Sequence, residues 1–111
     1  MRPACHIYVL SNGTNVRLSQ YKIGVHTGDR AKLLRRYKTP LIDPTVYAFQ
    51  PCVSPIIERI ILATLDGQRV RDPAGKKTEW IHAPLLDILN AVCRIIHETN
   101  AAVAVNIKVE K

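Results

Sequence analysis

The side chains best equipped for chemistry in this sequence are a carboxylate, a phenol, an amine and an imidazole: Glu58, Tyr8, Lys22 and His26. Glu58 shares a helical face with Ile61, Leu62 and Leu65, which sets its carboxylate beside an apolar stripe. The helix macrodipole, which favours an acid in a first turn, accounts for the same placement. Tyr8 lies in the β-like run His6-Ile7-Tyr8-Val9-Leu10, where half-buried tyrosines are common. Lys22 belongs to a second such run, Tyr21-Lys22-Ile23-Gly24-Val25. It can contact a phosphate, but serves as a base near neutral pH only when desolvated. Tyr21 is expected on the opposite face of that strand. Gly24 either admits a close approach of substrate or backbone, or marks a bulge. His26, just beyond, is either a candidate general base, the usual role of an imidazole, or an ordinary surface or half-buried histidine.

The charge balance points the same chemistry toward a polyanion. The chain has 111 residues, a formal net charge of +7 and a pI of about 9.7, which favours nucleic acid first and an acidic membrane surface second. The cations are grouped. Arg30, Lys32, Arg35, Arg36 and Lys38 fall on one short helical stretch, and Arg69, Arg71, Lys76 and Lys77 fall in the polar segment 66–77. Both groups suit sequence-independent contacts to backbone phosphates; both also suit a solvated surface. Three cysteines, Cys5, Cys52 and Cys93, form no C-x-x-C pair, so neither a disulfide framework nor a zinc cluster is expected and reduced thiols are the default. The N-terminus lacks the pattern of a signal peptide, and no apolar run approaches the ~20 residues that cross a bilayer.

The elements that must position these residues follow from local signals. Residues 5–10 and 20–26 read as two antiparallel strands around the turn Ser11-Asn12-Gly13. Asp29 caps a helix to about Tyr37, which Thr39-Pro40 ends. Thr45–Gln50 reads as a third strand closed by Pro51. Ser54-Pro55 opens a helix running from Ile56 to about Leu65. Asp66–Lys77 reads as a long polar loop, Glu79-Trp80-Ile81 as a short extended piece, with Trp80 expected to anchor the next helix. That helix starts at Pro84 and carries Leu85, Ile88, Leu89, Val92, Ile95 and Ile96 on one face. Val103, Val105, Ile107 and Val109 alternate with smaller or polar residues, which predicts a terminal strand. The expected fold is α+β: a small three-stranded antiparallel sheet flanked by three helices (β-β-α-β-α-α), with an extra C-terminal β-strand. The expected division is a domain over residues 1–98 and a β-patterned tail over 99–111.

The order Ile7-Tyr8, then Tyr21-Lys22-Ile23-Gly24, then Leu33-Leu34-Arg35-Arg36-Tyr37, then Glu58, then Glu79-Trp80 resembles the GIY-YIG endonuclease superfamily over residues 5–97. Its phage and large-DNA-virus branch, with Y-K-I-G as second signature, is the nearer likeness. That resemblance implies hydrolysis of DNA phosphodiester bonds with Mg²⁺ or Mn²⁺ held by Glu58. Hairpin tyrosines, here Tyr8, orient or deprotonate the water, and a helix arginine steadies the phosphate. The family's arginine position falls on Leu33, or on Lys32 after a shift of one, so Arg36 and Arg30 stand in for it. Lys22 occupies the place of the second tyrosine. The implied catalytic set is Tyr8, Lys22, Glu58 and Arg36. The implied DNA contacts are Arg30, Lys32, Arg35, Arg36, Lys38, Arg69, Arg71, Lys76 and Lys77.

Hydrolysis of a phosphodiester needs an activated water and relief of charge on the phosphate. Mg²⁺ serves with few protein ligands because it keeps most of its waters. Two alternatives accompany the enzyme reading. One is a catalytically degenerate relative that only binds nucleic acid, favoured by the missing arginine and the lysine in place of tyrosine. The other is a viral structural protein, virion- or capsid-associated, using the fold as a packing module. The expected partner is DNA and not a membrane, with a homo-oligomer or partner chain meeting the C-terminal strand by edge pairing. The expected setting is intracellular: host cytoplasm or nucleus, or the virion. A separate DNA-recognition domain has no room in 111 residues, so sequence-specific cleavage by this chain alone is not expected.

Overall fold

The computed structural model describes residues 5–110, and the side chains of residues 5–102; the N-terminal signal reading therefore lies partly outside the described residues. The α+β class is as expected, but the sheet has five strands. They are β1 (Cys5–Ser11), β2 (Gln20–His26), β3 (Thr45–Cys52), β4 (Arg69–Arg71) and β5 (Lys77–His82), in the spatial order β3-β1-β2-β5-β4. Every neighbouring pair is antiparallel. Four helices surround it: α1 (Gly13–Arg17), α2 (Arg30–Tyr37), α3 (Ile56–Thr64) and α4 (Leu85–Glu110).

Strand alternation divides the sheet into two apolar faces. Ile7, Val9, Tyr21, Ile23 and Ile81 pack against Ile57, Ile61 and Leu62 of α3 and Ile88, Val92, Ile95 and Ile96 of α4. The opposite face offers Tyr8, Leu10 and Val46 to Leu33 and Tyr37 of α2. Each fully buried aliphatic side chain contributes about 1.5–3 kcal/mol, so the larger cluster under α3 and α4 dominates the stability of the domain.

Local chemistry explains the boundaries. The turn at residues 11–13 is a short helix as well: Asn12 caps α1, its side-chain oxygen accepting from the Asn15 amide at 2.9 Å. Asp29 caps α2 in the same way through the Lys32 amide at 2.8 Å. Ser54 accepts from the Ile56 amide at 3.3 Å where α3 begins. Pro51 is tolerated inside β3 because β3 is an edge strand.

Three expectations are corrected. The segment Asp66–Lys77 is no loop: a 3-10 turn (Asp66–Gln68) leads into the β4–β5 hairpin. Its turn is built by Asp72, which accepts from the Ala74 and Lys76 amides at 2.9 Å each, and by Gly75 at φ 85°. The tail from residue 99 is not a strand, because α4 continues to Glu110. Residues 85–110 contain no Gly or Pro, and lengthening an existing helix satisfies each new backbone group locally. A strand would need a sheet edge. Trp80 does not anchor α4: it stands opposite Lys22, and its neighbour Ile81 fills the core under α4.

Among the described residues no helix is long and apolar enough to cross a membrane. Cys5 and Cys52 face each other across β1 and β3, both 1% exposed, with their Sγ atoms 2.6 Å apart. Burial, reinforced by Cys5, pushes the Cys52 thiol up to about 12. Cys93 is exposed, its Sγ accepting from Gln50 Nε2 at 3.1 Å. Iodoacetamide at pH 8 is expected to add one group to the native protein, at Cys93, and three after denaturation, as read by intact mass and peptide mapping.

Candidate functional site

The site forms where β2 and β5 part. Their pairing runs from Gln20–His82 to Lys22–Trp80, with no later pair among the described residues. At this opening Lys22 Nζ lies 2.9 Å from Glu79 Oε1. Lys22 is 16% exposed and Glu79 44%, so the pair is reachable from solvent yet largely shielded on the lysine side. Glu58 comes from the first turn of α3, held there by Ile57 and Ile61 on either side of it in the core. Its carboxyl meets that of Glu79. Burial first, then the charge and hydrogen bond of Glu79, raise the Glu58 pKa, while the Val25 backbone amide and Lys22 act in the other direction.

A phenol pair closes the other wall. Tyr8 on β1 is directly opposite Gly24 on β2. A Cβ at Gly24 would fall 2.2 Å from the Tyr8 hydroxyl oxygen and 2.3 Å from its ring carbon Cζ, so the tyrosine occupies the space that glycine vacates. The close approach that Gly24 permits is thus by a side chain of the same hairpin. The Tyr8 hydroxyl is 2.7 Å from that of Tyr37 on α2. Burial and this partner hold the Tyr8 hydroxyl well above the ordinary tyrosine range; Glu79 adds to the rise and Arg36 opposes it. Tyr8 therefore stays protonated at neutral pH. It can orient a water or a phosphate oxygen, but the role of water base does not suit it. Arg36 lies 5.4 Å from the centre of the Tyr37 ring, which steers its guanidinium along this wall.

Tyr8, Lys22, Glu58 and Arg36 thus come to one neighbourhood, joined by Glu79 and Tyr37, which were not among the expected site residues. His26 lies farther along the face of Tyr8 and Gly24. Its Nε2 is buried without a hydrogen-bond partner, and its ring tilts against Phe49, on which His6 stacks at 4.2 Å. The expected DNA-contact cations divide. Arg30 donates to the Val46 carbonyl at 3.0 Å and ties α2 to β3. Arg69 donates to the Thr78 carbonyl, Arg71 to the Gly75 carbonyl, and Lys77 pairs with Asp66, so three of the four cations of 66–77 brace the hairpin. Lys32, Arg35, Lys38 and Lys76 are exposed. Arg35 and Lys38 line a shallow groove with Leu34, Asp43, Pro44 and Thr45, apart from the carboxylates.

The donor set fits a hard divalent cation. Two carboxylates converge at a half-buried point where their mutual repulsion and burial already favour neutralisation. Among the described residues there is no group of three or more His, Cys, Asp or Glu side chains able to hold a metal. Glu58 and Glu79 would therefore be its protein ligands, with water and substrate oxygen completing the shell, which is how Mg²⁺ is commonly held. The raised pKa also has a consequence for the cation-free protein. Between the unfolded and folded pKa values of Glu58 the folded chain binds more protons, so stability falls as pH rises through that window. In EDTA, Glu58→Gln is expected to melt a few °C above wild type at pH 7–8. The gain should vanish as pH falls to about 3, well below the ordinary glutamate range, where the side chain is protonated in both states.

Fold and site together define a small α+β domain in which two carboxylates, a lysine, a tyrosine pair and an arginine gather where β2 and β5 part. The chain belongs to the T5orf172-domain family, whose sequence model matches residues 5–104. That domain is phage- and virus-associated and related to DNA. The match overturns the GIY-YIG assignment, since the family that fits is a different one. The residue roles borrowed from that resemblance must rest on geometry instead. A relative is the uncharacterised protein R9 of Acanthamoeba polyphaga mimivirus, 33% identical over 76 residues. The match covers 68% of this chain and 20% of that viral protein, so the chain spans about a fifth of its relative's length. No solved structure matches.

Proposed function

We propose that this domain binds DNA and hydrolyses its phosphodiester bonds with a divalent cation, Mg²⁺ or Mn²⁺, at Glu58 and Glu79. The observation that carries the reading is the convergence of these two carboxylates beside Lys22, facing the Tyr8–Tyr37 pair and Arg36. When bound, the cation would supply charge relief on the phosphate and a more acidic water. Arg36 would neutralise a non-bridging phosphate oxygen, a role supported by its position over the Tyr37 ring. Tyr8, protonated and fixed by Tyr37, orients by hydrogen bonding. Lys22 pairs with Glu79, and with a cation held by Glu58 and Glu79 it would be free to contact the phosphate. The exposed Lys32 and Arg35 of α2 and Lys38 at its C-cap hold the flanking backbone, which fits the net charge of +7.

The test is nicking of supercoiled plasmid by the wild-type protein in Mg²⁺, in Mn²⁺ and in EDTA. Metal-dependent nicking supports the reading. Salt-sensitive binding without nicking in any metal would leave only a binding domain. That second reading has one observation in its favour: Lys22 already neutralises Glu79 and can keep a cation out. Both readings share a prediction. Replacing Lys32, Arg35 and Lys38 together with Gln should flatten the slope of log binding constant against log salt by roughly 2–3, measured by fluorescence anisotropy on duplex DNA.

A further inference from the structure

Trp80 is partly exposed and belongs to neither buried cluster of the domain. It is the single tryptophan of the chain and sits in β5, inside the sheet. Its neighbour Ile81 points into the core under α3 and α4, so Trp80 faces the other way. On that side α2 covers Tyr8, Leu10 and Val46 of β1 and β3, and Trp80 belongs to neither buried cluster. It remains half-buried, neither sealed in nor withdrawn. Its partner across the strands is Lys22, the residue that grips Glu79 at the mouth of the cleft, and the next pair along the same face is Gln20 with His82. The neighbours of the partly exposed indole on this face are polar, Lys22, Gln20 and His82, which does not suit an apolar protein partner. It suits a flat aromatic ring attached to a phosphate.

We propose that Trp80 is a stacking platform for one unpaired nucleobase of the DNA strand, seating the adjoining phosphate at the Glu58–Glu79 cleft. The inference rests on the phosphodiester reading and adds a substrate class to it: DNA with a single-stranded, mismatched or extruded nucleotide at the cleavage point. Base-paired duplex keeps its bases inside the helix and cannot present one to Trp80. Base-to-aromatic stacking is tolerant of base identity, so no sequence preference is expected from this contact.

The single tryptophan makes the test direct. Wild-type protein in EDTA at low salt is titrated with fluorescein-labelled oligo-dT and, separately, with a hairpin duplex, following anisotropy and, with unlabelled DNA, tryptophan emission. Oligo-dT should quench the emission saturably at the concentrations where anisotropy rises, and duplex should bind with far less quenching. Trp80→Leu should weaken oligo-dT about tenfold or more and leave duplex binding within twofold; Trp80→Phe should recover most of the loss. Melting curves establish that the variants fold, and the wild-type quenching decides the matter if Trp80→Leu does not. Binding of oligo-dT without quenching, equal affinity of Trp80→Leu, or no oligo-dT binding at all would overturn the platform. Plasmid nicking with an unquenched Trp80 would sink the platform and spare the hydrolytic reading. Quenching without nicking would do the reverse.

Discussion

Glu58→Gln is expected to abolish metal-dependent plasmid nicking, lowering the rate by on the order of a thousandfold, the effect of losing several kcal/mol of metal-supplied stabilisation. The change is nearly isosteric, removes one negative charge and leaves Ile57 and Ile61 in the core undisturbed. DNA binding should therefore hold or tighten slightly, since one repulsion of the phosphate disappears. Because the same variant is expected to be at least as stable as wild type without metal, lost activity cannot be assigned to unfolding. Glu79→Gln should also lose activity, but it frees Lys22 from its 2.9 Å partner. Its binding should strengthen more, which separates the two carboxylates. Unchanged nicking by Glu58→Gln would show that the cleft is not where the phosphodiester is cut, and the hydrolytic proposal would have to be given up.

Gly24→Ala is expected to be the most damaging single-methyl change in the domain. The added Cβ would lie 2.2 Å from the Tyr8 hydroxyl oxygen, 2.3 Å from Cζ and 2.7 Å from Cε2. Tyr8 is 2% exposed and held by Tyr37, so its ring has nowhere nearby to go. Overpacking of this kind costs about 1–3 kcal/mol, a drop of roughly 5–15 °C in Tm for a domain of this size. Gly13→Ala, with nothing within 4 Å of the new Cβ, should be neutral or mildly stabilising and serves as the control. The mechanism is specific enough to predict rescue. Tyr8→Phe on the Gly24→Ala background should not help, because ring carbons clash as well as the hydroxyl. Tyr8→Leu should recover part of the stability and none of the activity. A wild-type melting temperature for Gly24→Ala would mean that Tyr8 does not lie over Gly24.

What could be read along the chain was what short-range physics decides. The two strands of the first hairpin, the Asp29 cap, the Ser54-Pro55 helix start and the core face of α4 all follow from spacing and capping chemistry within a few residues. Glu58 did not: helix position alone is equally explained by an acid complementing the macrodipole, and its choice as candidate carboxylate came from the GIY-YIG resemblance. The terminal valines misled for a physical reason: alternation marks a strand only where a sheet edge is available to pair with, and α4 could lengthen without one. The segment 66–77 misled the other way. Its polar composition hid a hairpin whose turn, Asp72 to Gly75, was legible by itself, but whose strands form only because β5 finds β2. The family assignment rested on the order of five short motifs over residues 5–97, each weak alone, and the family model that matches residues 5–104 is a different one.

The α+β class, the positive charge and the places of the main helices were legible along the chain, whereas Tyr8, Lys22 and Glu58 entered as a site only through a resemblance that the family match overturned. Tertiary structure alone decided that Glu79 joins Glu58, that Tyr37 joins Tyr8, and that Arg30, Arg69, Arg71 and Lys77 are spent bracing the fold. Tyr8 and Tyr37 are 29 positions apart, and Lys22 and Glu79 are 57 apart. Contacts at such separations carry no local signature; they follow only from which strands pair, in which register, and which helix packs on which face of the sheet.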